Sequence, residues 1–344
     1  MLFSVIIPVY NGMAFLKGCI DSVLNQDFAD GTNPSDIEME LILVDDGSTD
    51  GSSELCDRYA ENDARIRVIH QANSGQPSAR RAGIFASKGD YICYVDADDK
   101  VRPYWLSSIA DCIRKGKNPD LLVFGAVFHA EDKDERNICW LPEGLYTGAR
   151  LRREVFPYAL ADRRKCYTTR LIPPAPWNKA YRRELLLAHY NREERLRRRE
   201  DVAFVYECAF YSRSIYVTHK ILYDYNKTNP DSITASYGCR LTVNDVYLSY
   251  YLRSRLAGLG VDSQINDFFL CRIIRSTLWK AANQPYNEAK ANLRKELADT
   301  KLLEHVRLRG LPPGPAVFLL ALRLGLYGPI LRLARIKEKG LGAA

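Results

Sequence analysis

Apolar residues in the first hundred positions occur in short blocks that alternate with longer amphipathic segments. The blocks are rich in β-branched and aromatic residues and are each followed by polar residues; they are 3–9, 40–44, 66–69 and 91–95. Segments between them, such as 15–24 and 78–86, repeat their apolar residues at helical spacing. Strands that are apolar throughout are typical of parallel sheets covered on both faces. The alternation therefore predicts an α/β fold with a doubly wound, mostly parallel sheet.

Acidic residues follow two of these predicted strands where each strand ends. Asp45 and Asp46 follow the second strand, and Asp96, Asp98 and Asp99 follow the fourth. The carboxyl ends of parallel strands open on one edge of a sheet, which is where ligands bind in such folds. Asp96 and Asp98 are two positions apart, so in extended chain they point the same way and suit a divalent cation such as Mg²⁺ or Mn²⁺. In isolation, the same cluster could be a polar turn that caps a helix.

The turn after the first strand indicates what ligand this edge could bind. Pro8, Tyr10 and the Asn-Gly turn that follows do not form a G-x-G-x-x-G sequence, and the chain has no Walker A lysine loop. Phosphates would therefore be held by a metal rather than by a glycine-rich cradle. Tyr10 could stack on a base, and Asp46 could accept a hydrogen bond from a base N–H or a ribose hydroxyl. These residues predict a site for a nucleoside diphosphate.

Composition is that of a folded protein and leaves the partner open. The 344 residues are 47% hydrophobic and 26% charged, enough for one large domain with an appendage. The net charge is +7, with arginine and lysine concentrated in 150–200 and towards the C-terminus. The nine cysteines form no C-x-x-C pair, which favours reduced, buried thiols over disulfides or a zinc site. The N-terminal residues show no signal-peptide pattern, so we expect none.

The last third of the chain has a purely helical pattern. Two parts are therefore predicted, residues 1–238 and residues 239–344. An apolar run at 316–322 is followed by Arg323 and Pro329, so it is shorter than the ~20 apolar residues of a membrane-spanning helix. An amphipathic helix at about 314–336 that lies on an anionic membrane surface is one interpretation. Packing of this helix on the protein's own surface or in a dimer is the other.

Six segments, in order along the chain, resemble family 2 glycosyltransferases. They are 4–12 (SVIIPVYNG), 41–50 (LILVDDGSTD), 73–80 (NSGQPSAR), 94–99 (YVDADD), 177–186 (WNKAYRRELL) and 199–204 (REDVAF). Each motif alone is weak, and it is their order and spacing that carry the resemblance. The resemblance implies the GT-A fold, a Rossmann-like doubly wound sheet, here with a C-terminal helical appendage. It also implies inverting sugar transfer of the kind used in bacterial cell-surface polysaccharide synthesis.

The resemblance implies a nucleotide-sugar site at the strand ends. Pro8 and Tyr10 would line the nucleobase pocket, and Asp46 would meet the base with Asp45 close by. Arg80 would lie near the diphosphate or the base. The other residues implied on the donor side are Ser74, Asp96 and Ala97.

The resemblance likewise implies the metal ligands and the catalytic base. Asp98, with Asp96 and Asp99, would hold Mn²⁺ or Mg²⁺ on the diphosphate. Of the pair Glu200 and Asp201, Asp201 is the residue expected to act as general base. Arg199 stands before this pair, where the family more often has glycine.

The partners implied are a nucleotide-sugar donor, commonly a UDP-sugar in this family, and a glycan or lipid-linked acceptor. The expected location is the cytoplasmic side of the cell membrane, without nucleic-acid binding; the oligomeric state is open. Two alternatives remain from the residues alone. A metal-dependent nucleotidyltransferase would favour a glycine-rich signature with lysine near the N-terminus, which residues 5–18 lack. A non-enzymatic basic protein that binds anionic lipid or nucleic acid would leave the strand-end acids without a purpose.

Overall fold

The computed structural model describes residues 1–27, 36–131, 133–160, 171–190, 196, 199–230, 241–257, 259 and 265–341. The chain divides into two compact units. The first comprises Met1–Arg153, Ile172–Asn191 and Phe204–Pro230, and the second comprises Glu154–Leu171, Arg192–Ala203 and Asp231–Ala344. The predicted boundary between 238 and 239 lies outside the described residues. Described residues from two earlier segments, among them Glu200 and Asp201, group with the C-terminal helices.

A sheet of ten strands is formed by the described residues of the first unit. The strands are Leu2–Val9 (β1), Glu38–Asp45 (β2), Ile66–His70 (β3), Tyr91–Tyr94 (β4), Lys100–Val101 (β5), Leu121–His129 (β6), Glu135–Asn137 (β7), Gly144–Thr147 (β8), Lys179–Arg182 (β9) and Ser214–Asn226 (β10). Their order is β3-β2-β1-β4-β9-β6-β10-β5, with β7 paired to β6 and β8 paired to β10.

The pairing confirms the predicted mostly parallel central sheet. Strands β3, β2, β1 and β4 are parallel, and β6 and β10 form a second parallel pair. Strand β9 lies between β4 and β6 and is antiparallel to both, while β5, β7 and β8 are short antiparallel additions. The carboxyl ends of β1, β2 and β4 therefore meet at one edge, as the sequence predicted.

Helices cover both faces of the parallel part of the sheet. They are Met13–Leu24 (α1), Ser52–Asn62 (α2), Gln76–Ala86 (α3) and Trp105–Lys115 (α4). The short helix Gly148–Glu154 (α5) follows β8, and Arg183–His189 (α6) packs against β9. Phe3, Val5, Ile7 and Val9 share one core with the buried face of α1. On the opposite face, a Cβ added to Gly83 of α3 would lie 2.5 Å from Cγ2 of Ile6. Glycine therefore allows the α3 backbone to lie directly against β1, which fixes the start of α3 beside the strand ends.

Pro8 lies inside β1, one residue before the strand ends. The backbone of Ile6 accepts a hydrogen bond from Val95 on the β4 side of β1. Pro8 faces the same way two residues later, and β4 has already ended at Tyr94. The missing N–H of Pro8 therefore leaves no ladder hydrogen bond unmade, which is the condition for proline in a strand.

The second unit is helical in its described residues. After Glu200–Tyr211 (α7), whose first residues belong to this unit, the helices are Val243–Leu256 (α8), Ile265–Ala281 (α9), Tyr286–Thr300 (α10), Pro313–Arg323 (α11) and Tyr327–Leu341 (α12). Two 3-10 turns, Phe156–Tyr158 and Leu302–His305, complete it. Buried Asp267 is paired with Arg307 at 2.8 Å and with Arg253 at 3.7 Å.

The segment predicted as one amphipathic helix at 314–336 forms two helices, α11 and α12. The break falls at Gly325, which has a φ of +75° that few residues other than glycine adopt. Pro329 then lies in the first turn of α12, where its missing N–H costs no helical hydrogen bond. Among the described residues, no helix is both long enough and apolar enough to cross a membrane.

Candidate functional site

Asp46 organises the loop between β3 and α3. Its side chain is 3% exposed and accepts hydrogen bonds from Gln71 Nε2 at 2.6 Å, from the Ser74 N–H at 2.9 Å and from the Gly75 N–H at 2.8 Å. Gly75 has a φ of +86°, so glycine is needed where this loop turns into α3. Asp46 and Ser74, predicted separately as donor-site residues, are therefore in direct contact.

Asp45 is joined to the end of the neighbouring strand. Its carboxylate lies 3.0 Å from Nδ1 of His70 and accepts the Ser48 N–H at 2.9 Å. Burial raises the pKa of Asp45, but the hydrogen bonds from His70 and Ser48 outweigh it, so the pKa is lowered. The pKa of His70 is raised, mainly by the hydrogen bond to Asp45. When His70 is protonated, the two side chains form an ion pair that ties the end of β2 to the end of β3.

The 48–52 loop holds the turn after β1. The Asn11 N–H donates to Ser48 Oγ at 3.1 Å, and the Met13 N–H at the start of α1 donates to Asp50 Oδ2 at 2.9 Å. Asn11 has a φ of +49°, which asparagine tolerates better than most residues. These bonds fix the backbone on which Tyr10 sits. Tyr10 itself is 54% exposed, so its ring presents a free face at the strand-end edge.

Arg80 and Asp96 form an ion pair beside the end of β4. Arg80 Nη2 lies 3.2 Å from Asp96 Oδ1, and Gln76 Nε2 donates to the same oxygen at 3.1 Å. Arg80 is buried, and its guanidinium lies 6.0 Å from the centre of the Tyr94 ring. Ala97 lies next to the turn after β1, since a Cβ added to Gly12 would be 3.5 Å from its methyl group. The ends of β1 and β4 are thus adjacent.

Asp99, the third acid predicted as a metal ligand, is buried inside the fold. It is 1% exposed, and its two oxygens accept hydrogen bonds from the Tyr223 hydroxyl and the Asn226 N–H, both at 2.7 Å. Burial, followed by the negative charge of Asp96, raises the pKa of Asp99 to about 9. Both Asp99 oxygens are therefore already used inside the fold. Asp99 fastens the loop to β10.

Asp98 is half exposed. Among the described residues, its carboxylate accepts a hydrogen bond from Asn229 Nδ2 at 2.7 Å. No group of three or more acidic, histidine or cysteine side chains that could hold a metal occurs among the described residues. Mg²⁺ and Mn²⁺ in nucleotide sites are often held by one or two carboxylates together with substrate phosphates. Asp98, with Asp96 nearby, fits a cation of that kind and does not form a metal site by itself.

Tyr223 links this loop to a buried aromatic stack that the sequence did not single out. Its hydroxyl oxygen accepts the Asp96 N–H at 3.0 Å, and its ring is stacked on Trp177 with centres 4.4 Å apart. Trp177 is buried in the core. Lys179 is fully buried, and its ammonium donates to the carbonyls of Pro173 and Ala175 at 2.7 Å, which holds the loop before Trp177.

Glu200 and Asp201 are the first two residues of α7, where negative charge is favourable to the helix dipole. Both are half exposed. They belong to the second unit, whereas the other predicted site residues belong to the first. Arg199, which precedes them, has a φ of +56° and lies 2.5 Å from Asp245.

Comparison with known proteins identifies the family to which this chain belongs. The sequence profile of the family described as "Glycosyl transferase family 2" matches residues 4–216. The chain belongs to glycosyl transferase family 2. Family membership confirms the resemblance given by the six motifs. It favours the transferase interpretation over the nucleotidyltransferase and the non-enzymatic alternatives.

Family 2 relatives of the chain include proteins from several bacteria. The chain is 35% identical over 234 residues to the uncharacterized glycosyltransferase EpsJ of Bacillus subtilis, covering 68% of this chain and 63% of that protein. It is 30% identical over 206 residues to the cholesterol galactosyltransferase of Borreliella burgdorferi, covering 59% of this chain and 53% of that protein. The chain therefore spans less than two thirds of the length of these relatives.

The fold is similar to that of a solved structure, S. aureus TarS 1–349 in complex with UDP-GlcNAc. The TM-score is 0.70 with 21% sequence identity, and the match covers 99% of this chain and 92% of that chain. At this level of identity the likeness concerns the fold alone. It agrees with the α/β class predicted from the sequence.

Proposed function

We propose that this protein transfers a sugar from a nucleotide-diphosphate sugar, with UDP as the nucleotide, to a hydroxyl group of an acceptor. The observation that carries the proposal is the meeting of Tyr10, Asp46, Arg80 and Asp96 at the carboxyl ends of β1, β2 and β4 in a family 2 chain. This edge offers an exposed aromatic face, a buried arginine and ordered acids. Those are the groups that a base, a diphosphate and its cation require.

On the donor side, each group has a physical task. The exposed ring of Tyr10 offers a stacking surface for the base. The Asp46 carboxylate is already hydrogen-bonded to the loop at 71–75. It would therefore act on the base indirectly, by fixing the backbone of Ser74 and Gly75. Arg80 already neutralises Asp96, and a bound diphosphate would compete for the same guanidinium.

A divalent cation, Mn²⁺ or Mg²⁺, would be held by Asp98 and Asp96 together with the donor's phosphates. When bound, such a cation offsets the negative charge that develops on the leaving nucleoside diphosphate. Asp98 lies at the half-exposed end of its loop, and Asn229 keeps its carboxylate oriented. Asp99 and Tyr223 keep the backbone of the loop in place beneath it.

On the acceptor side, Asp201 would act as the general base, with Glu200 beside it. A hydroxyl group is a weak nucleophile at neutral pH, and a carboxylate in hydrogen-bond reach can take its proton as the new bond forms. A single base and in-line attack give inversion at the anomeric carbon, because no carboxylate nucleophile forms a glycosyl intermediate. A glycan or lipid-linked saccharide of cell-surface polysaccharide synthesis is the acceptor class that the family resemblance supports.

Calorimetric titration with UDP, GDP and dTDP, each with and without Mn²⁺, tests the donor site. We expect UDP to bind with the strongest dependence on the cation, and Asp98→Ala to remove that dependence. Tyr10→Ala should weaken nucleotide binding by about tenfold or more, since a stacked base loses its partner. Tyr104→Ala is the matched control, because Tyr104 is 50% exposed and lies elsewhere, immediately before α4. Failure of the folded protein to bind any of the three nucleotides would contradict the proposal.

We propose further that α11 and α12 attach the protein peripherally to the inner face of the cell membrane. Val317, Leu320 and Leu324 are exposed at the spacing of one helix face, and Leu333 and Ile336 are exposed on α12. Residues 313–336 contain three arginines and no acidic residue. A surface that is apolar and basic fits anionic lipid headgroups. In a dimer through this surface, the arginines of the two copies would face and repel one another.

Vesicle co-sedimentation tests the membrane proposal without unfolding the helices. The triple variant Leu320→Gln, Leu324→Gln, Leu333→Gln changes exposed positions only, and binding to phosphatidylglycerol-containing vesicles should fall at least about tenfold. Val317→Ser and Val243→Ser form a matched pair, since both valines are 65% exposed. Only Val317→Ser should weaken binding. Equal binding to pure phosphatidylcholine vesicles, or a concentration-dependent dimer that the triple variant abolishes, would count against the proposal.

A further inference from the structure

Arg199 has a backbone conformation that its residue type disfavours. Its φ of +56° lies in the left-handed region, where the Cβ of an ordinary side chain crowds its own carbonyl oxygen. The Arg199 carbonyl oxygen accepts hydrogen bonds from the Val202 N–H at 3.0 Å and the Ala203 N–H at 3.3 Å. Arg199 is therefore the residue from which α7 starts. A strained conformation of this kind persists only where the surroundings impose it.

The surroundings that impose it are the start of α8. Arg199 Nε donates to Asp245 Oδ1 at 2.5 Å, and Asp245 is 2% exposed. The second oxygen of Asp245 accepts the Thr242 N–H at 2.8 Å and the Thr242 hydroxyl at 3.3 Å, in a capping box. Because the capping box fixes the Asp245 carboxylate, the guanidinium that meets it has little freedom. Both partners lie in the second unit.

We propose that Arg199 is a positioning residue that sets the direction of the Glu200–Asp201 pair through its ion pair with Asp245. The pair directly follows Arg199, so a rotation of the Arg199 backbone turns both carboxylates together. This inference rests on the proposed role of Asp201 as general base. It gives α8 a role in catalysis, because Asp245 of α8 would hold the first turn of α7 in place through Arg199.

Substitutions that separate the ion pair from the backbone strain test the inference. Arg199→Gly removes the pair and accepts a positive φ freely, whereas Arg199→Ala removes the pair and retains the strain. In both variants we expect kcat to fall by about tenfold to 100-fold, because the base is misplaced by a small distance. The KM for the donor should stay within about twofold, since donor contacts are not touched. Arg199→Lys, which keeps the charge, should recover part of kcat.

The matched control is Arg307→Gln. Arg307 also pairs with a buried aspartate of the second unit, Asp267, at 2.8 Å, but it is not adjacent to the acid pair. This variant should lose stability with kcat unchanged. An equal loss of kcat in Arg199→Gly and Arg307→Gln, at matched stability, would reduce Arg199 to a structural role and overturn the inference.

Hydrogen exchange at the Val202 and Ala203 amides provides a readout that does not depend on activity. Both amides donate to the Arg199 carbonyl, so exchange at these positions should be faster in Arg199→Gly than in the parent and in Arg307→Gln. A parent protein that transfers no sugar would contradict the proposed function, while this measurement would still decide the positioning. Unchanged exchange together with unchanged kcat in Arg199→Gly would overturn the inference.

Discussion

Neighbouring carboxyl groups after β4 have different physical tasks. Asp96 forms an ion pair with Arg80, Asp98 is half exposed near Asn229, and Asp99 is buried against Tyr223. Three acids within four positions would repel one another if all were charged and unpaired. A basic partner for the first, exposure for the second and a raised pKa for the third remove most of that repulsion. The loop can then present Asp98 to a ligand, with Asp96 beside it, without unfolding.

Removal of the Tyr223 hydroxyl tests how the loop after β4 is held in place. Tyr223→Phe removes the acceptor of the Asp96 N–H and a donor to Asp99, so two buried polar groups lose a partner. We expect the free energy of unfolding to fall by about 1–3 kcal/mol, measured by urea denaturation, because unpaired buried polar groups carry their full desolvation cost. Nucleotide binding should weaken as well, since the loop that carries Asp98 loses its support.

Tyr94→Phe is the control for that measurement. The Tyr94 ring is also fully buried in a strand, but its hydroxyl has no hydrogen-bond partner within the described part of the chain. Its removal should leave stability unchanged or slightly higher. A loss of the same size in both variants would mean that ring packing, and not the hydroxyl bridge, holds the loop.

At the scale of elements, the β2 and β3 ends are joined by a pair whose strength depends on pH. The pKa of His70 is raised on folding, so protonated His70 stabilises the fold. This contribution is complete at pH values below the ordinary pKa of 6.5, and it is lost as pH rises through the folded value. The lowered pKa of Asp45 stabilises the fold above 3.8, and this contribution is lost as pH falls through the folded value. The pair therefore stabilises most between these two pH values.

His70→Gln should accordingly lose more stability near pH 5.5 than near pH 9, measured by urea denaturation at each pH. The loss should be modest because the His70 side chain is 46% exposed and solvent screens its charge. Asp57→Asn, which removes the second and more exposed partner of His70, should have a smaller effect. A difference between His70→Gln and the parent that does not change with pH would show that the ion pair contributes nothing.

Sequence reasoning reached the elements because their signals are local. The apolar blocks and the helical spacing record burial within a few positions, and glycine, proline and acidic turns mark the strand ends. The partners of the site residues are not local. Tyr223 and Asn229 lie 124 and 131 positions from Asp99 and Asp98, and neither stands in a pattern that indicates a contact. Asp99 was therefore predicted as a metal ligand, although its position in the fold buries it.

The C-terminal helices illustrate the same limit between elements. Residues 314–336 have an amphipathic pattern, but the sequence did not indicate that Gly325 divides them or which apolar residues would be buried. Leu319, Leu322 and Leu331 are fully buried, whereas Leu320, Leu324 and Leu333 are exposed. The pattern predicts an apolar face, and only tertiary packing decides which part of that face remains available to a partner.

At the scale of the whole molecule, deletion of residues 312–344 should affect the two units differently. Helix α12 packs against α9 and α10, and the deleted segment contains three fully buried leucines. Each buried leucine contributes about 1.5–3 kcal/mol, so the helical unit would lose a large part of an ordinary folding free energy. We expect the amides of α9 and α10 to exchange much faster in the truncated protein. The core of the sheet contains no residue of this segment, so β1 and β2 should stay protected. Loss of protection in β1 and β2 would show that the two units unfold together, and a membrane assay on the truncated chain would then report unfolding rather than lipid binding.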